Sequence, residues 1–482
     1  MNELKNSISD TGSFFFSEGA HLGCQADSFR KLLTKYGECA LELDAVALTE
    51  FPSRYTFLGD RTLLKGIKRS QWFSSVPDNV LPPMHGSRKA SSQEVAEGLY
   101  PLLKSEVKEY VGSCEHVGIL LSGGMDSRIV AGVLKEIQRE QNDFRVTVFC
   151  WGQRDTRDPV YANLIADIFN WDFEHFNITA ATLRQNIEIS AQEGCFYSAQ
   201  HLHAMEDVAN RSKELSVDCM LAGSYGDSIG RAEYSGVRVE RLVPISDPLR
   251  NWFQLIDPDV YSECQKSSFI ELERYHDLFK QLPNTIVNEL DYQLHYMRNH
   301  LGSCMAIINE KVPLRQIFTA NSVVEYMWGV APECRTNDVY LNLLGLINPE
   351  LLKIPWARTG KPYLEEDVPA DNIGKNFHRY LDWTHIELED YLKDIILSGK
   401  LKESGVFNMR QIEALLKIFY KSNRSIGGRV PEIILWLGSV SLFMDIYKWA
   451  APSMSAGHSK NNFSLIGIME LHAYALRYRI LY

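Results

Sequence analysis

Between an apolar run, Val117 to Leu121, and a stretch carrying Ile129, Val130, Val133, Leu134 and Ile137 at helical spacing, the chain places Ser122-Gly123-Gly124-Met125-Asp126-Ser127. A buried strand, a Gly-Gly turn and an amphipathic helix in that order predict one half of a parallel αβ unit. The pattern repeats. Arg145 to Cys150 reads as a second strand, followed by an amphipathic helix beginning near Asp158 with Ala162, Leu164, Ile165, Ile168 and Phe169. Phe173 to Ile178 and Val217 to Ala222 read as a third and a fourth strand. Such alternation predicts an α/β fold with a parallel sheet covered on both faces, and ligands bind such sheets outside the carboxyl ends of the strands.

The turn itself is suited to an anion. Two glycines let the backbone approach a ligand closely, and the following helix offers unpaired N–H groups and the positive end of its dipole. Ser122 and Ser127 can add hydroxyl donors, making a nest for a pyrophosphate. Asp126 would repel phosphate unless a cation intervened, so it is read as a Mg²⁺ ligand shared with the phosphates.

Beyond about residue 260 the pattern is helical, with helices expected over Phe269 to Met297, Asn321 to Trp328, Asn376 to Leu397 and Met409 to Lys421, in a lobe closing over the strand ends. Ile433 to Met444 is apolar but shorter than the roughly 20 residues a membrane helix needs, so a buried helix is expected there. Pro77 to Ser92 reads as a linker after a small N-terminal unit. With 482 residues the chain is too long for one core, and two or three packed units are expected. A net charge of -11 speaks against wrapping nucleic acid. Nine scattered cysteines without metal-ligand spacing suggest reduced, mostly buried thiols, and the absence of a signal-like N-terminus suggests a cytoplasmic protein.

Ser122 to Ser127 resembles the SGGxDS signature of the PP-loop ATP pyrophosphatases, and its surroundings resemble the synthetase domain of the asparagine synthetase family. Gly152, Asp158, Ala162 and Ala166 stand at the family's spacings after the second strand. Leu221-Ala222-Gly223-Ser224-Tyr225-Gly226-Asp227-Ser228 is similar to the family's SGEGxDE motif, with Ser224 and Ser228 in place of its two glutamates. Lys311 to Leu314 resembles a VPFLD segment, with Arg315 in place of its Asp, and Ile354 to Lys361 resembles an I-x-x-R-x-K region. Phe57 to Ile67 is similar to the stretch that closes a glutaminase domain, but Asn2 occupies the position of that enzyme's nucleophilic cysteine and the first cysteine is Cys24.

The resemblance implies a PP-loop (adenine nucleotide hydrolase) sheet with a small N-terminal α/β unit and a helical C-terminal lobe. It divides the chain into a truncated, non-catalytic glutaminase-like remnant (1–90), an ATP-pyrophosphatase domain (91–375) and a helical extension (376–482). ATP would contact Leu120, Ser122, Gly123, Gly124, Asp126, Ser127, Trp151 and Gly223, and Mg²⁺ would bind Asp126 and Asp227. Lys361 and Arg358 would be catalytic, with Lys353 close behind. The implied reaction adenylates a carboxylate on a small molecule, sugar or peptide, releases pyrophosphate, and passes the acyl group to an amine or ammonia. Macrolactam or lasso-peptide cyclisation and amidation of a surface-polysaccharide uronate are both compatible with it, as is a homodimer or a partner protein. Two other readings stand beside it: tRNA thiolation, for which no cysteine pair or basic surface is seen, and a nucleotide-binding or partner-binding module without catalysis. Phe196, Tyr197, His201 and His203 either line the acceptor pocket or form an ordinary core face, and His295, Tyr296 and Arg298 are packing or rim residues.

Overall fold

The computed structural model describes residues 15–17, 24–36, 40–70, 85–141, 144–277, 279–365, 367–421, 426–453 and 464–481. Residues 77–84 of the linker expected over Pro77 to Ser92, and Cys39, lie outside these residues. Five strands, β1 (His116–Leu120), β2 (Arg145–Trp151), β3 (Asp172–Phe176), β4 (Cys219–Ala222) and β5 (Leu314–Gln316), form one parallel sheet in the order β5-β4-β1-β2-β3. Val117 lies opposite Val146 on one side and Cys219 on the other. The order reverses between β1 and β4, and at such a switch point the flanking connections diverge and leave a crevice at the carboxyl ends.

Strand alternation sorts side chains between two cores. Val117, Ile119, Val146, Val148, Cys219 and Leu221 face one core, with helices α1 (Ser92–Val111), α2 (Met125–Gln141), α3 (Arg157–Phe169), and, further along the chain, α8 (Asn321–Trp328) and α9 (Asn337–Ile347). Leu120, Phe149, Met220 and Ala222 face the other, with α4 (Ala180–Gln192) and α5 (Met205–Glu214). That second core also takes in Phe15, Phe29, Phe51 and Phe57 from the N-terminal segment and the helices α10 (Met409–Lys421) and α11 (Arg429–Ile446). Phe51 stacks on Trp436 with ring centroids 4.5 Å apart. The two ends of the chain therefore share one apolar interior. α11 is buried on almost every side, as its uninterrupted apolar run requires, and among the described residues no helix is long and apolar enough to cross a membrane.

Three expectations need correction. The single helix expected over Phe269 to Met297 is two, α6 (Pro258–His276) and α7 (Asn284–Asp291), separated where Pro283 caps the second, and the chain continues as a π-helix over Tyr292–Gly302. Helix over Asn376 to Leu397 begins only at Tyr380 and is broken into Tyr380–Asp382, Trp383–Glu387 and Glu389–Ile396. β5 was not anticipated: three residues pairing with β4 are too short for a period to register. Of the cysteines, Cys150, Cys195, Cys219, Cys264 and Cys304 are buried and all those described are free thiols.

A buried carboxylate ties the N-terminal unit to α6. Glu50 accepts from Leu58 N at 2.8 Å and from Ser268 Oγ at 2.9 Å, with Arg61 Nε at 3.3 Å. Burial pushes its pKa up to about 7, with Arg61 offsetting only part of the cost. The folded state thus holds a proton that the unfolded chain releases near pH 4.5. This contribution to stability is complete below pH 4.5 and is lost as pH rises through about 7. Glu50→Gln is expected to flatten that segment of the stability curve, by up to about 3 kcal/mol between pH 5 and 8. Urea denaturation of both proteins at the two pH values checks it.

Candidate active site at the switch point

The carboxyl ends of β1, β2 and β4 open into a cavity of about 300 Å³. One end is polar: Ser122, Gly124, Asp126 and Ser127 from the turn after β1, and Gly223 and Ser224 from the turn after β4. The rest of the lining is largely apolar, Leu120, Leu121, Cys150, Trp151, Ala222, Met305 and Phe377, with His203, while Asp158 belongs with the turn after β1. Of the residues expected to hold ATP, Leu120, Ser122, Gly124, Asp126, Ser127, Trp151 and Gly223 line this one cavity, and Gly123 lies in the turn between its neighbours.

The turn after β1 is organised from within. Ser122 Oγ and Ser127 Oγ lie 3.1 Å apart, Ser122 N donates to Ser127 Oγ at 3.1 Å, and Gly124 N donates to Ser122 Oγ at 3.2 Å. Gly123 N donates to Asp158 Oδ1 at 2.9 Å. The two serine hydroxyls thus shape the loop, and the first N–H groups of α2 face the polar end. Gly223 is required by close approach: a Cβ there would sit 2.5 Å from Ser127 N, against backbone that cannot yield. Gly152, at φ +128°, leaves room for residue 377, whose carbonyl accepts from Gln153 N at 2.8 Å. That contact brings Phe377 over the end of β2.

A line of alternating charge runs from the polar end. Arg231 donates to Asp126 Oδ2 at 3.1 Å and to Asn337 Oδ1 at 2.9 Å, and lies 3.9 Å from Glu233, which accepts from Arg358 at 2.6 Å. Burial raises the pKa of Asp126, and Arg231 offsets only part of this. Asp227 is pushed up to about 6 by burial and by the neighbouring charge of Asp126. Two carboxylates so close resist joint ionisation without added positive charge. Asp126 Oδ1 is sealed from solvent with no hydrogen-bond partner, a state a carboxylate tolerates when a cation comes to it. Among the described residues no group of three or more His, Cys, Asp or Glu forms a metal cage. Two carboxylates completed by phosphate oxygens are nonetheless how Mg²⁺ is usually held, so these residues fit a nucleotide-borne Mg²⁺.

The basic loop packs against the turn after β1 but outside the cavity lining. Ala357 N donates to Gly123 O at 3.1 Å, Trp356 N to Lys361 O at 2.9 Å, and Lys353 pairs with Glu350 at the surface. Arg358 is committed to Glu233 and lies over the Trp356 ring, and Lys361 is part-buried at the loop's end. His203 lines the cavity, stacked on Trp151 at 5.8 Å, with Nδ1 2.8 Å from Tyr380 Oη. Burial, with His201 and His378 adding to it, pushes its pKa down to about 3, so the ring is neutral. Phe196 and Tyr197 are core residues, His201 is part-buried near Glu432, and His295 and Arg298 are buried packing residues. Sequence reasoning missed Arg231, Glu233 and Phe377. Arg231 follows Asp227 by four residues, a spacing that places both on one side of a helical turn.

Residues 98–268 match the family model for asparagine synthase. This stretch is similar to the asparagine synthase domain. It spans α1 to the middle of α6, and so contains β1 to β4 and both cavity turns, while the basic loop lies beyond it. No curated protein matches the chain. Among solved structures, an NMN synthetase from Francisella tularensis is similar at 14% identity, covering 46% of this chain and 94% of that one with a TM-score of 0.22. The U34-tRNA thiolase NcsA from Methanococcus maripaludis, with its 4Fe-4S cluster, is similar at 14% identity over 47% of this chain and 87% of that one, TM-score 0.23. With scores this low, nothing about mechanism follows from either.

Proposed function

We propose that the chain is an amide-forming ligase that adenylates a substrate carboxylate with ATP, releases pyrophosphate, and passes the acyl group to an amine or ammonia. The observation that carries this is one cavity joining an apolar wall at the ends of β1 and β2 to a preorganised turn that bears Asp126, with Asp227 within its electrostatic reach but outside the cavity lining. The apolar wall suits an adenine and the turn suits a pyrophosphate. Mg²⁺ held by Asp126 and Asp227 would supply charge neutralisation for the triphosphate. The chain's own residues position ATP so that the carboxylate attacks in line with the departing pyrophosphate, and the basic loop neutralises charge that builds there. Ser224 stands at the cavity where the resemblance leads one to expect a glutamate, which argues against aspartate as the substrate. In this reading the first 90 residues are structural, through contacts such as Glu50 with Ser268.

Calorimetric titration of ATP with and without Mg²⁺ tests nucleotide binding, and pyrophosphate release with a panel of carboxylates tests catalysis. Absence of Mg²⁺-dependent ATP binding would sink the reading. Binding without release on every carboxylate and amine offered would favour a nucleotide-binding module, which the loss of the motif's glutamates at Ser224 and Ser228 makes the second reading. Lys361→Met is expected to lower turnover about a hundredfold while ATP affinity changes little. Arg358→Met or Lys353→Met behaving this way instead would move the catalytic role along the loop.

A further inference from the structure

Behind the phosphate turn lies a guanidinium that the proposed reaction does not use. Arg128, in the first turn of α2, is fully buried. One terminal nitrogen donates to Leu351 O at 2.9 Å and Ile354 O at 2.7 Å, the other to Gly123 O at 3.1 Å and Pro355 O at 2.9 Å. The group lies over the ring of Tyr363, 4.9 Å from its centroid. Among the described residues no carboxylate hydrogen-bonds to it, and the acid nearest in influence, Asp158, is engaged with Gly123 N. Burying a positive charge without a counter-ion is costly, and carbonyl dipoles offset only part of the cost. An anion arriving at the turn that Arg128 touches from behind offsets more of it. The same four bonds span two segments more than 200 residues apart, the turn at Gly123 and the stretch Leu351 to Pro355 that leads into Arg358 and Lys361.

We propose that Arg128 is a positioning residue of the pyrophosphate site: it supplies fixed positive charge beneath the turn and holds the basic loop against it, without itself touching phosphate. The inference rests on the nucleotide reading above, and its test separates the two. Inorganic pyrophosphate with Mg²⁺, and adenosine in parallel, are titrated calorimetrically into the full chain. Arg128→Met keeps an apolar stem and removes the charge, and is expected to weaken pyrophosphate binding about tenfold or more while adenosine stays within about twofold. Arg128→Lys keeps a charge but cannot span four carbonyls, so it is expected to restore most of the pyrophosphate affinity while amide exchange over residues 351–361 quickens. Wild-type pyrophosphate affinity in Arg128→Met, or equal losses for both ligands, overturns the inference but not the nucleotide reading. Wild-type protein that binds neither ligand overturns both. If Arg128→Met does not fold, Arg128→Lys decides, because unchanged exchange over residues 351–361 there also overturns the positioning role.

Discussion

Asp126→Asn is expected to cut ATP-dependent pyrophosphate release by about a thousandfold or more, with circular dichroism and melting temperature close to wild type. The substitution removes one negative charge and almost no volume. Asp126 is the residue on which the site's electrostatics converge: it lines the cavity, faces Arg231 at 3.1 Å, opposes the ionisation of Asp227, and keeps one oxygen without a partner. With Asn there, the carboxylate pair that would hold Mg²⁺ is reduced to Asp227. Arg231 keeps Asn337 and Glu233 as neighbours, so the fold does not inherit an isolated buried charge. Undiminished pyrophosphate release by the variant would remove Asp126 from its assigned role.

Gly223→Val is expected to have the second largest effect, by a different route. The added Cβ would meet Ser127 N at 2.5 Å and Asp126 C at 2.6 Å, so the turn after β4 must retreat from the start of α2. Overpacking of this kind costs about 1–3 kcal/mol of stability. The separation also spoils the approach of two turns that together bound the polar end of the cavity, so ATP affinity is expected to fall at least about tenfold. Thermal melts and calorimetry read the two consequences separately. A variant that melts normally and binds ATP normally would show that the turns need not touch.

Four of the five strands were legible in the sequence, and β1 shows why. A run such as His116 to Leu120, buried on both faces, has no polar alternation to confuse it, and the turn after it places small residues and one acid where only a few geometries fit. The cavity's polar end was legible for the same reason, being local in sequence. Its other parts are not local. Arg231 reaches Asp126 across 105 residues, and Phe377 reaches the end of β2 through Gln153, and no periodicity announces either contact. The break at Pro283 is written in the sequence, since a proline cannot continue a helix, whereas the late start at Tyr380 is a tertiary outcome: Gly374 and Phe377 bond instead to Arg157 and Gln153 beyond the end of β2.

The roof over the end of β2 has a consequence for how the molecule matures. Residues 374 to 380 reach the cavity through the bridge between Thr156 and Gly374, the contact of Gln153 with Phe377 and the bond between Tyr380 and His203. A nascent chain that has already completed its five strands still lacks this cover. If the cavity takes nucleotide as proposed, the ligand would stabilise the finished chain more than one that ends before residue 374.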